Sequence, residues 1–277
     1  MLDFSQHLEL GLHAEVIAEV QAIAAKLGVQ PLVVGAFARD LHLVYAHCIP
    51  VQRQTEDIDL ALAIDDWSAF EQLRTRLVSS GRFAETKSVH RLRYGVLPID
   101  LVPFGRVETG ERTIAWTPQG DIVMDVFGFQ ESQRAALETL LPNGVRVQVV
   151  SVPALALLKL VCWQDRRMRS PRKDASDLQL IITHYLEAGN EARLWEEFVQ
   201  WTQEDDFDYE ATSARMLGHD IAQLLDVDGR RRITALLEVQ ANFKELGSLP
   251  IEMNGQRPEQ AIRLLSELLR GLRERGQ

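Results

Sequence analysis

Residues 57–64 read Asp-Ile-Asp-Leu-Ala-Leu-Ala-Ile, with two acidic residues at the start of a run that is otherwise apolar. Side chains on a β-strand point alternately to its two faces, so Asp57 and Asp59 project together if this run is a strand. Two adjacent carboxylates repel each other unless they share a proton or bind a cation. Carboxylate oxygens favour Mg²⁺, which proteins often hold with one or two carboxylates and the phosphates of a substrate. The alternative is a strand that starts in solvent.

The Asp-x-Asp pattern is weak alone, because the chain repeats it at 206–208 and 226–228, in polar stretches where acids cap helix ends. A third acid singles out the first copy. Asp100 interrupts the apolar run 96–103, and a buried carboxylate is costly unless it is paired or binds a metal. If the two strands are neighbours, three carboxylates converge, as in two-metal phosphoryl transfer, and Asp100 is a candidate base. The alternative for Asp100 is an edge strand facing water.

The pattern around these strands mixes helices and strands up to about residue 150. Helices are predicted at 8–27, 37–47, 66–80 and 131–141. Strands are predicted at 31–34, 57–64, 83–88, 90–96, 98–104 and 145–150. Only helical patterns follow Ser151. We therefore expect an α/β domain with a mixed sheet over 1–150, and an all-α domain over 151–277 that closes an active-site cleft.

The composition is that of a soluble globular protein, with 46% apolar and 25% charged residues among 277. No apolar run reaches the roughly 20 residues that cross a bilayer, and the N-terminus has no secretory signal pattern. Cys48 and Cys162 are too few and too far apart for a disulfide framework or a zinc motif. We expect a cytoplasmic protein that does not bind membranes.

Lys159 interrupts the apolar helical stretch 154–161, and a buried ammonium needs an anionic partner. A nucleoside triphosphate is one candidate partner. A carboxylate of the chain itself is the other, from Asp174 or Asp177, which lie three apart on one helical face. Acids near a helix N-terminus are also favoured by the helix dipole, which is the simpler explanation for Asp174.

Three segments together resemble the polymerase-β-type nucleotidyltransferase superfamily, whose signature is a glycine turn, an Asp-x-Asp strand and a third Asp on a later strand. They are Val33-Val34-Gly35-Ala36, Thr55-Glu56-Asp57-Ile58-Asp59-Leu60 and Ile99-Asp100-Leu101. Within that superfamily, the chain resembles the AbiEii/AbiGii-type toxins. Those proteins also carry a helical lysine, here in 155–166, followed by a basic segment that contains Asp, here 172–178. The resemblance covers residues 30–185.

The resemblance implies a mixed-sheet nucleotidyltransferase fold, a nucleoside triphosphate (NTP) as substrate, and Mg²⁺, or Mn²⁺ in its place, as the metal. The metal ligands it implies are Asp57, Asp59 and Asp100. Lys159 and Asp174 join them as catalytic residues. The nucleotide-binding residues it implies are Gly35, Ala36, Arg39, Lys159 and Asp177. Arg39 lies about one helical turn after Gly35, and it either reaches phosphate or pairs with Asp40 or Glu56.

Two departures from the superfamily pattern bear on donor binding. Ala36 stands where the turn usually has Ser or a second Gly, although backbone N–H groups at a helix N-terminus can still hold phosphate. The separation between Gly35 and Asp57 is also longer than usual. A catalytically degenerate protein that binds a nucleotide or a partner is therefore an alternative.

The toxin resemblance implies tRNA or another macromolecule as acceptor, and an antitoxin as partner. A net charge of −10 weakens the case for general nucleic-acid binding and suits a small-molecule acceptor, such as an antibiotic hydroxyl, at least as well. A basic segment offers either an anion-attracting rim or a solvated turn; its members are Arg166, Arg167, Arg169, Arg172 and Lys173. His90, Arg91 and Arg93 alternate on a predicted strand, and we assign them to the surface.

Overall fold

The computed structural model describes residues 1–51, 55, 57–116, 122–168 and 171–274. The chain divides into two compact units, the first formed by 1–41 and 52–151 and the second by 42–51 and 152–277. Residues 42–51 thus belong with the C-terminal helices, which the sequence did not indicate. As a division into functional domains, 1–150 and 151–277 stays a prediction.

The first unit contains every strand of the described residues, together with four α-helices. The strands are β1 (Leu2–Asp3), β2 (Pro31–Val34), β3 (Ile58–Ile64), β4 (Phe83–Glu85), β5 (Arg91–Tyr94), β6 (Leu97–Gly105), β7 (Thr113–Ala115), β8 (Val123–Asp125), β9 (Leu137–Leu140) and β10 (Arg146–Val149). The helices are α1 (Gly11–Ala24), α2 (Gly35–Asp40), α3 (Trp67–Ser79) and α4 (Phe129–Arg134). A π-helical turn, Leu41–Tyr45, follows α2 directly.

Eight of the described strands form one sheet in the order β1-β9-β10-β2-β3-β6-β5-β4, and β7 pairs with β8 separately. Parallel pairs join β1 to β9, β10 to β2 and β3 to β6. The remaining neighbours in the sheet are antiparallel. The sheet is therefore mixed, and the predicted α/β class is confirmed.

Strands β3 and β6 lie inside the sheet, and each has a neighbouring strand on both sides. Their apolar residues are buried almost completely, as Leu60 and Ile99 illustrate. Only Asp59 and Ala63 on β3 are partly exposed, and Asp100 is one of three such positions on β6. An acid in the middle of such a strand needs a compensating charge, as the sequence indicated.

Helix ends in the structure follow the local chemistry of the sequence. Gly28 adopts a left-handed φ of 70° where the N-terminal helical segment ends, as predicted. Asp66 caps α3 by accepting a hydrogen bond from the Ala69 N–H. Asp208 and Asp226, from the two further Asp-x-Asp copies, each cap a helix in the same way, at 2.8 Å from a backbone nitrogen. Those copies are helix caps, as expected.

The predicted helix over 131–141 is wrong in its second half. Helix α4 ends at Arg134, and Leu137–Leu140 forms β9. This strand pairs with β10 on one side and with β1 on the other. Backbone hydrogen bonds to both neighbouring strands outweigh the helical preference of the segment. Of these strands, β1 is remote in sequence, and β10 follows after a short connection.

The described residues of the second unit form helices and no strand, as predicted for residues 151–277. Its helices are α5 (Val152–Arg166), α6 (Pro171–His184), α7 (Glu191–Glu196), α8 (Tyr209–Leu224), α9 (Val227–Gln240), α10 (Ser248–Met253) and α11 (Pro258–Arg273). Among the helices described, none is both long and apolar enough to span a bilayer.

Helices α8 and α11 cross at two glycines that bring their backbones together. A Cβ atom added at Gly218 would lie 2.0 Å from the Leu268 carbonyl oxygen, and one at Gly271 would lie 1.8 Å from that of Arg215. Beside this crossing, the buried Arg215 guanidinium binds Glu204 and Glu274. Close approach and ion pairing together fix the two helices against each other.

Candidate active site

Three neighbouring strands place one charged residue each in a single row across the sheet. Asp59 on β3 lies in register with Asp100 on the parallel strand β6. Asp100 in turn lies opposite Arg91 on the antiparallel strand β5. Residues in register on adjacent strands present their side chains on the same face, so these three meet there. Asp57 directly precedes β3 and, two residues before Asp59, projects to the same side.

The carboxylates of Asp57, Asp59 and Asp100 form one cluster. One oxygen from each lies within 4.8 Å of the other two, and all three residues are half-buried. Two oxygens on opposite sides of one Mg²⁺ lie about 4.2 Å apart, since each Mg–O distance is about 2.1 Å. A small inward shift would thus let the three oxygens contact one divalent ion. The donor set, carboxylate oxygens only, is the type that Mg²⁺ and Mn²⁺ prefer.

Gly35 is packed against this cluster. Its φ is 71°, in the left-handed region, and a Cβ atom added there would lie 1.9 Å from Asp59 Oδ2. The glycine therefore has two roles that depend on the lack of a side chain: it turns the chain from β2 into α2, and it leaves room for the carboxylate. Neither role depends on phosphate binding.

Arg91 is the residue of this site that the sequence analysis missed. Its Nε donates to Asp100 Oδ1 at 2.6 Å, and its Nη2 donates both to Asp100 Oδ2 at 2.6 Å and to Asp57 Oδ2 at 3.0 Å. The hydrogen bonds to Asp100 are the largest cause of a raised Arg91 pKa, and the charges of the three carboxylates add to it. Arg91 therefore contacts the carboxylate cluster, which its assignment to the surface did not anticipate, although its side chain is 36% exposed.

A signal for Arg91 was present in the sequence. Tyr94 and Leu97 are paired, so only Gly95 and Val96 connect β5 to β6. A two-residue turn fixes the register of a hairpin, and Gly95 has the positive φ, 59°, that such turns need. Counting back from this turn sets Arg91 opposite Asp100.

The Gly35-Ala36 turn leads into α2, whose Arg39 side chain is buried. Arg39 donates to Asp40 Oδ1 from Nε at 2.9 Å and from Nη2 at 2.6 Å. The Thr55 hydroxyl donates to the other oxygen of Asp40. Of the two pairings expected for Arg39, the one with Asp40 is present, whereas Glu56 lies outside the described residues. A role of Arg39 toward phosphate stays a prediction.

The second unit holds a buried cluster around Lys159. Its Nζ lies 2.6 Å from Asp177 Oδ2 and 3.2 Å from Asp174 Oδ1. Arg166 donates to both oxygens of Asp174, at 2.7 and 3.0 Å. The two cations and two carboxylates balance in charge, so the carboxylate partners expected for Lys159 are present in the chain itself.

Burial and ion pairing oppose each other in this cluster. Burial lowers the pKa of Lys159, but the charges of Asp177 and Asp174 outweigh that effect and raise it overall. Burial likewise raises the pKa of Asp174, but the Arg166 hydrogen bond and the Lys159 charge lower it overall. Both groups are therefore held in their charged forms.

The basic segment at the end of α5 is partly engaged in structural contacts. Arg166 binds Asp174, as above. Arg167 donates to the Ser248 hydroxyl at 2.8 Å, and its guanidinium lies over the Trp163 ring. Arg172 is exposed and Lys173 half-buried, while Arg169 lies outside the described residues. Such contacts are those expected of a solvated turn that is anchored to its helix.

Two solved structures show a weak likeness to the chain. The crystal structure of ANT(2″)-Ia in complex with adenylyl-2″-tobramycin is 18% identical, with a TM-score of 0.38, over 66% of this chain and 98% of that one. The solution structure of the antibiotic-resistance factor ANT(2″)-Ia is 14% identical, with a TM-score of 0.36, over 70% and 99%. Neither likeness is strong enough to carry an argument. No curated protein matches the chain.

A sequence family gives a much broader match. The model of the family described as "Nucleotidyl transferase AbiEii toxin, Type IV TA system" matches residues 25–254. This range includes the Gly35 turn, all three carboxylates of the cluster and the Lys159 cluster, and it extends well beyond the residues on which the resemblance was based. The predicted resemblance is thereby confirmed, and the chain belongs to the AbiEii toxin family of nucleotidyltransferases, a Type IV toxin–antitoxin family.

Proposed function

We propose that the chain catalyses a Mg²⁺-dependent transfer of a nucleoside monophosphate from an NTP to a hydroxyl or phosphate acceptor. The observation that carries this proposal is the carboxylate cluster, in which one oxygen each of Asp57, Asp59 and Asp100 lies within 4.8 Å of the others. A bound Mg²⁺, or Mn²⁺ in its place, would neutralise phosphate charge and polarise the phosphorus–oxygen bonds. The three carboxylates are the groups that would hold it.

The remaining steps are assigned to side chains of the cluster and its turn. The acceptor oxygen attacks the α-phosphorus, the bond to the β-phosphate oxygen breaks, and pyrophosphate leaves. Asp100 takes the proton of an attacking hydroxyl, which its position in the row supports. The Gly35-Ala36 turn binds the donor's phosphates through backbone N–H groups. Arg39, on the same helix, is assigned to the same phosphates.

Lys159, Asp174 and Asp177 are proposed to assist at the triphosphate. An ammonium carries three N–H donors, and two of those of Lys159 are directed at Asp177 and Asp174. We assign the third to a phosphate oxygen. In this assignment Asp174 and Asp177 keep Lys159 charged and oriented, which their positions within hydrogen-bonding distance support.

The proposed acceptor is tRNA or another macromolecule, and the proposed partner is an antitoxin protein. The family description, which names a toxin of a Type IV toxin–antitoxin system, supports the antitoxin, whereas the acceptor rests on the resemblance alone. A small-molecule acceptor is the second candidate, because a net charge of −10 is unfavourable for binding a polyanion. Binding of RNA that weakens steeply with salt would favour the first candidate, and its absence would favour the second.

The proposal is tested by incubating the protein with labelled NTPs and with extracted RNA, protein or small metabolites. Asp57→Asn, Asp59→Asn and Asp100→Asn should each lower transfer by more than the roughly 10- to 100-fold that loss of an outer-shell group costs. Asp228→Asn removes a carboxylate on the exposed face of α9 and serves as the matched control.

Two outcomes would contradict the proposal. Transfer that persists in the Asp57→Asn and Asp59→Asn variants would remove the cluster from the chemistry. NTP binding that is the same with and without Mg²⁺, with no transfer to any acceptor, would favour a degenerate nucleotide-binding protein, the alternative that Ala36 raised.

A further inference from the structure

We propose that Arg91 is a resident counter-ion of the carboxylate cluster, and that a divalent cation binds there only by displacing the Arg91 guanidinium from Asp57 and Asp100. This inference rests on the proposed function in one respect, that the cluster binds a divalent cation. It adds a residue and an exchange step that neither the carboxylates nor the family assignment implies.

The contacts of Arg91 differ from those of a surface ion pair. Nε and Nη2 of its guanidinium donate to the two oxygens of Asp100, and Nη2 also donates to Asp57. Two of the three cluster carboxylates are thus bound at 2.6–3.0 Å. The Asp57 and Asp100 side chains are each 14% exposed. Bidentate pairs of this kind, partly screened from water, are stronger than exposed pairs.

Charge explains why a cation has to be present. Three half-buried carboxylates within 4.8 Å repel each other strongly unless positive charge lies among them. Arg91 lies on β5, opposite Asp100 in the same sheet, so the sheet itself places its guanidinium beside the carboxylates. The other arginine of this strand, Arg93, is exposed and lies opposite Pro98 rather than an acid.

Geometry makes Arg91 and a bridging metal mutually exclusive. Nη2 lies between Asp57 Oδ2 and Asp100 Oδ2, at 3.0 and 2.6 Å. A Mg²⁺ held by these two oxygens would need the space that Nη2 occupies, since each Mg–O distance would be about 2.1 Å. Guanidinium nitrogen and metal would then be two positive centres in contact. Arg91 thus has to release both oxygens, and with Asp100 Oδ2 it loses its bidentate contact to Asp100.

The exchange has a measurable consequence for metal affinity. A cation that must be displaced weakens the binding of the ion that displaces it. Removing the Arg91 charge, which lies within 3.0 Å of two cluster carboxylates, should tighten Mg²⁺ binding by about tenfold or more, a ratio that corresponds to about 1.4 kcal/mol.

Calorimetric titration of the full-length protein with MgCl₂, and with MnCl₂, tests this expectation. Arg91→Gln should bind the metal about tenfold tighter than the wild type. Arg91→Lys keeps the charge but loses the bidentate contact, so its affinity for Mg²⁺ should lie between those of the wild type and Arg91→Gln. Arg93→Gln removes the same charge two residues along β5, and its affinity should stay within about twofold of wild type. Equal or weaker binding by Arg91→Gln would overturn the proposal.

A measurement on the wild type does not depend on how the variants fold. The ¹⁵N-labelled protein should show an Arg91 Nε–H resonance, identified by its loss in Arg91→Lys, that shifts and loses protection from solvent exchange as Mg²⁺ is added. An Nε–H signal that stays unchanged while Mg²⁺ saturates the site would overturn the displacement.

Asp57→Asn separates this inference from the proposed function. If wild type and Arg91→Gln bind Mg²⁺ equally and Asp57→Asn does not bind it, the metal site stands and only the role of Arg91 fails. If none of these proteins binds Mg²⁺ or Mn²⁺, both proposals fail together.

Discussion

Gly35 and Asp59 pack so closely that a Cβ atom on the glycine would lie 1.9 Å from Oδ2 of the aspartate and 2.7 Å from its Cγ. The glycine turn after β2 and the Asp-x-Asp stretch at β3 are therefore coupled by packing. In register, Val34 pairs with Asp59, so the turn begins immediately beside the carboxylate. Any side chain at position 35 has to move the group that is proposed to bind the metal.

Gly35→Ala is therefore expected to weaken Mg²⁺ binding at least tenfold and to destabilise the fold. The left-handed φ of 71° costs roughly 1–2 kcal/mol for a residue with a Cβ atom. The clash with Asp59 adds to this by pushing its carboxylate out of the cluster. Calorimetric titration with Mg²⁺ and urea unfolding measure the two effects separately.

Gly28→Ala is the matched control for that variant. Gly28 has nearly the same φ, 70°, but a Cβ atom there would have no neighbour within 4 Å. The control shares the backbone strain and lacks the clash. It should lose stability by the same 1–2 kcal/mol or so and keep its metal affinity. Equal metal binding by the two variants would show that Gly35 acts only through the backbone.

Lys159→Met is expected to lower the free energy of unfolding by about 3–5 kcal/mol, the usual cost of removing one partner from a buried ion pair. The substitution removes the ammonium that pairs with the buried carboxylates of Asp174 and Asp177. Denaturant unfolding measures the loss, and Lys26→Met, at an exposed lysine, is the control. A variant as stable as wild type but inactive would assign Lys159 to the substrate alone.

The central part of the site could be predicted because it depends on a local rule. Alternation along a strand places Asp57 and Asp59 on one side, and an acid within an apolar run requires a partner wherever the run lies in the sheet. The pairing of β3 with β6 then brings Asp100 to Asp59. Neither step needs knowledge of the rest of the fold beyond the assumption that the two strands are neighbours.

Arg91 and β9 were missed because both depend on pairing between strands. Alternation alone cannot say which neighbour a side chain faces, and only the register set by the Gly95-Val96 turn brings Arg91 to Asp100. Strand β9 owes its conformation to β1 and β10. The helix predicted over 131–141 rested on the local pattern, which carries no information about pairing with β1 at residues 2–3 or with β10 beyond the next turn.

Acid should weaken the Lys159 cluster through Asp174. Although burial alone would raise the Asp174 pKa, the Arg166 hydrogen bond and the Lys159 charge lower it below the usual value of 3.8. A lowered carboxyl pKa contributes stability above the unfolded pKa, about 3.9, and that contribution is lost as pH falls through the folded value. The stability difference between wild type and Asp174→Asn should thus be constant near neutral pH and shrink below about pH 4.

Urea unfolding between about pH 3 and 7 measures this difference. Asp228→Asn is the control, because the Asp228 side chain is 85% exposed. Its removal should leave the loss of stability at low pH unchanged. A difference between wild type and Asp174→Asn that stays constant down to pH 3 would show that Asp174 is not protonated in that range in either state.

Gly271→Ala tests whether the close crossing of α8 and α11 limits stability. In an open helical position, alanine is favoured over glycine by up to about 1 kcal/mol. At Gly271 the new Cβ atom would lie 1.8 Å from the Arg215 carbonyl oxygen, which is backbone and cannot rotate away. The helices have to separate, so we expect a net loss of about 1–3 kcal/mol. Gly11→Ala, at the start of α1 with no atom within 4 Å, should be neutral or stabilising. If both variants gained stability in thermal unfolding, the contact between Gly271 and Arg215 would not limit stability.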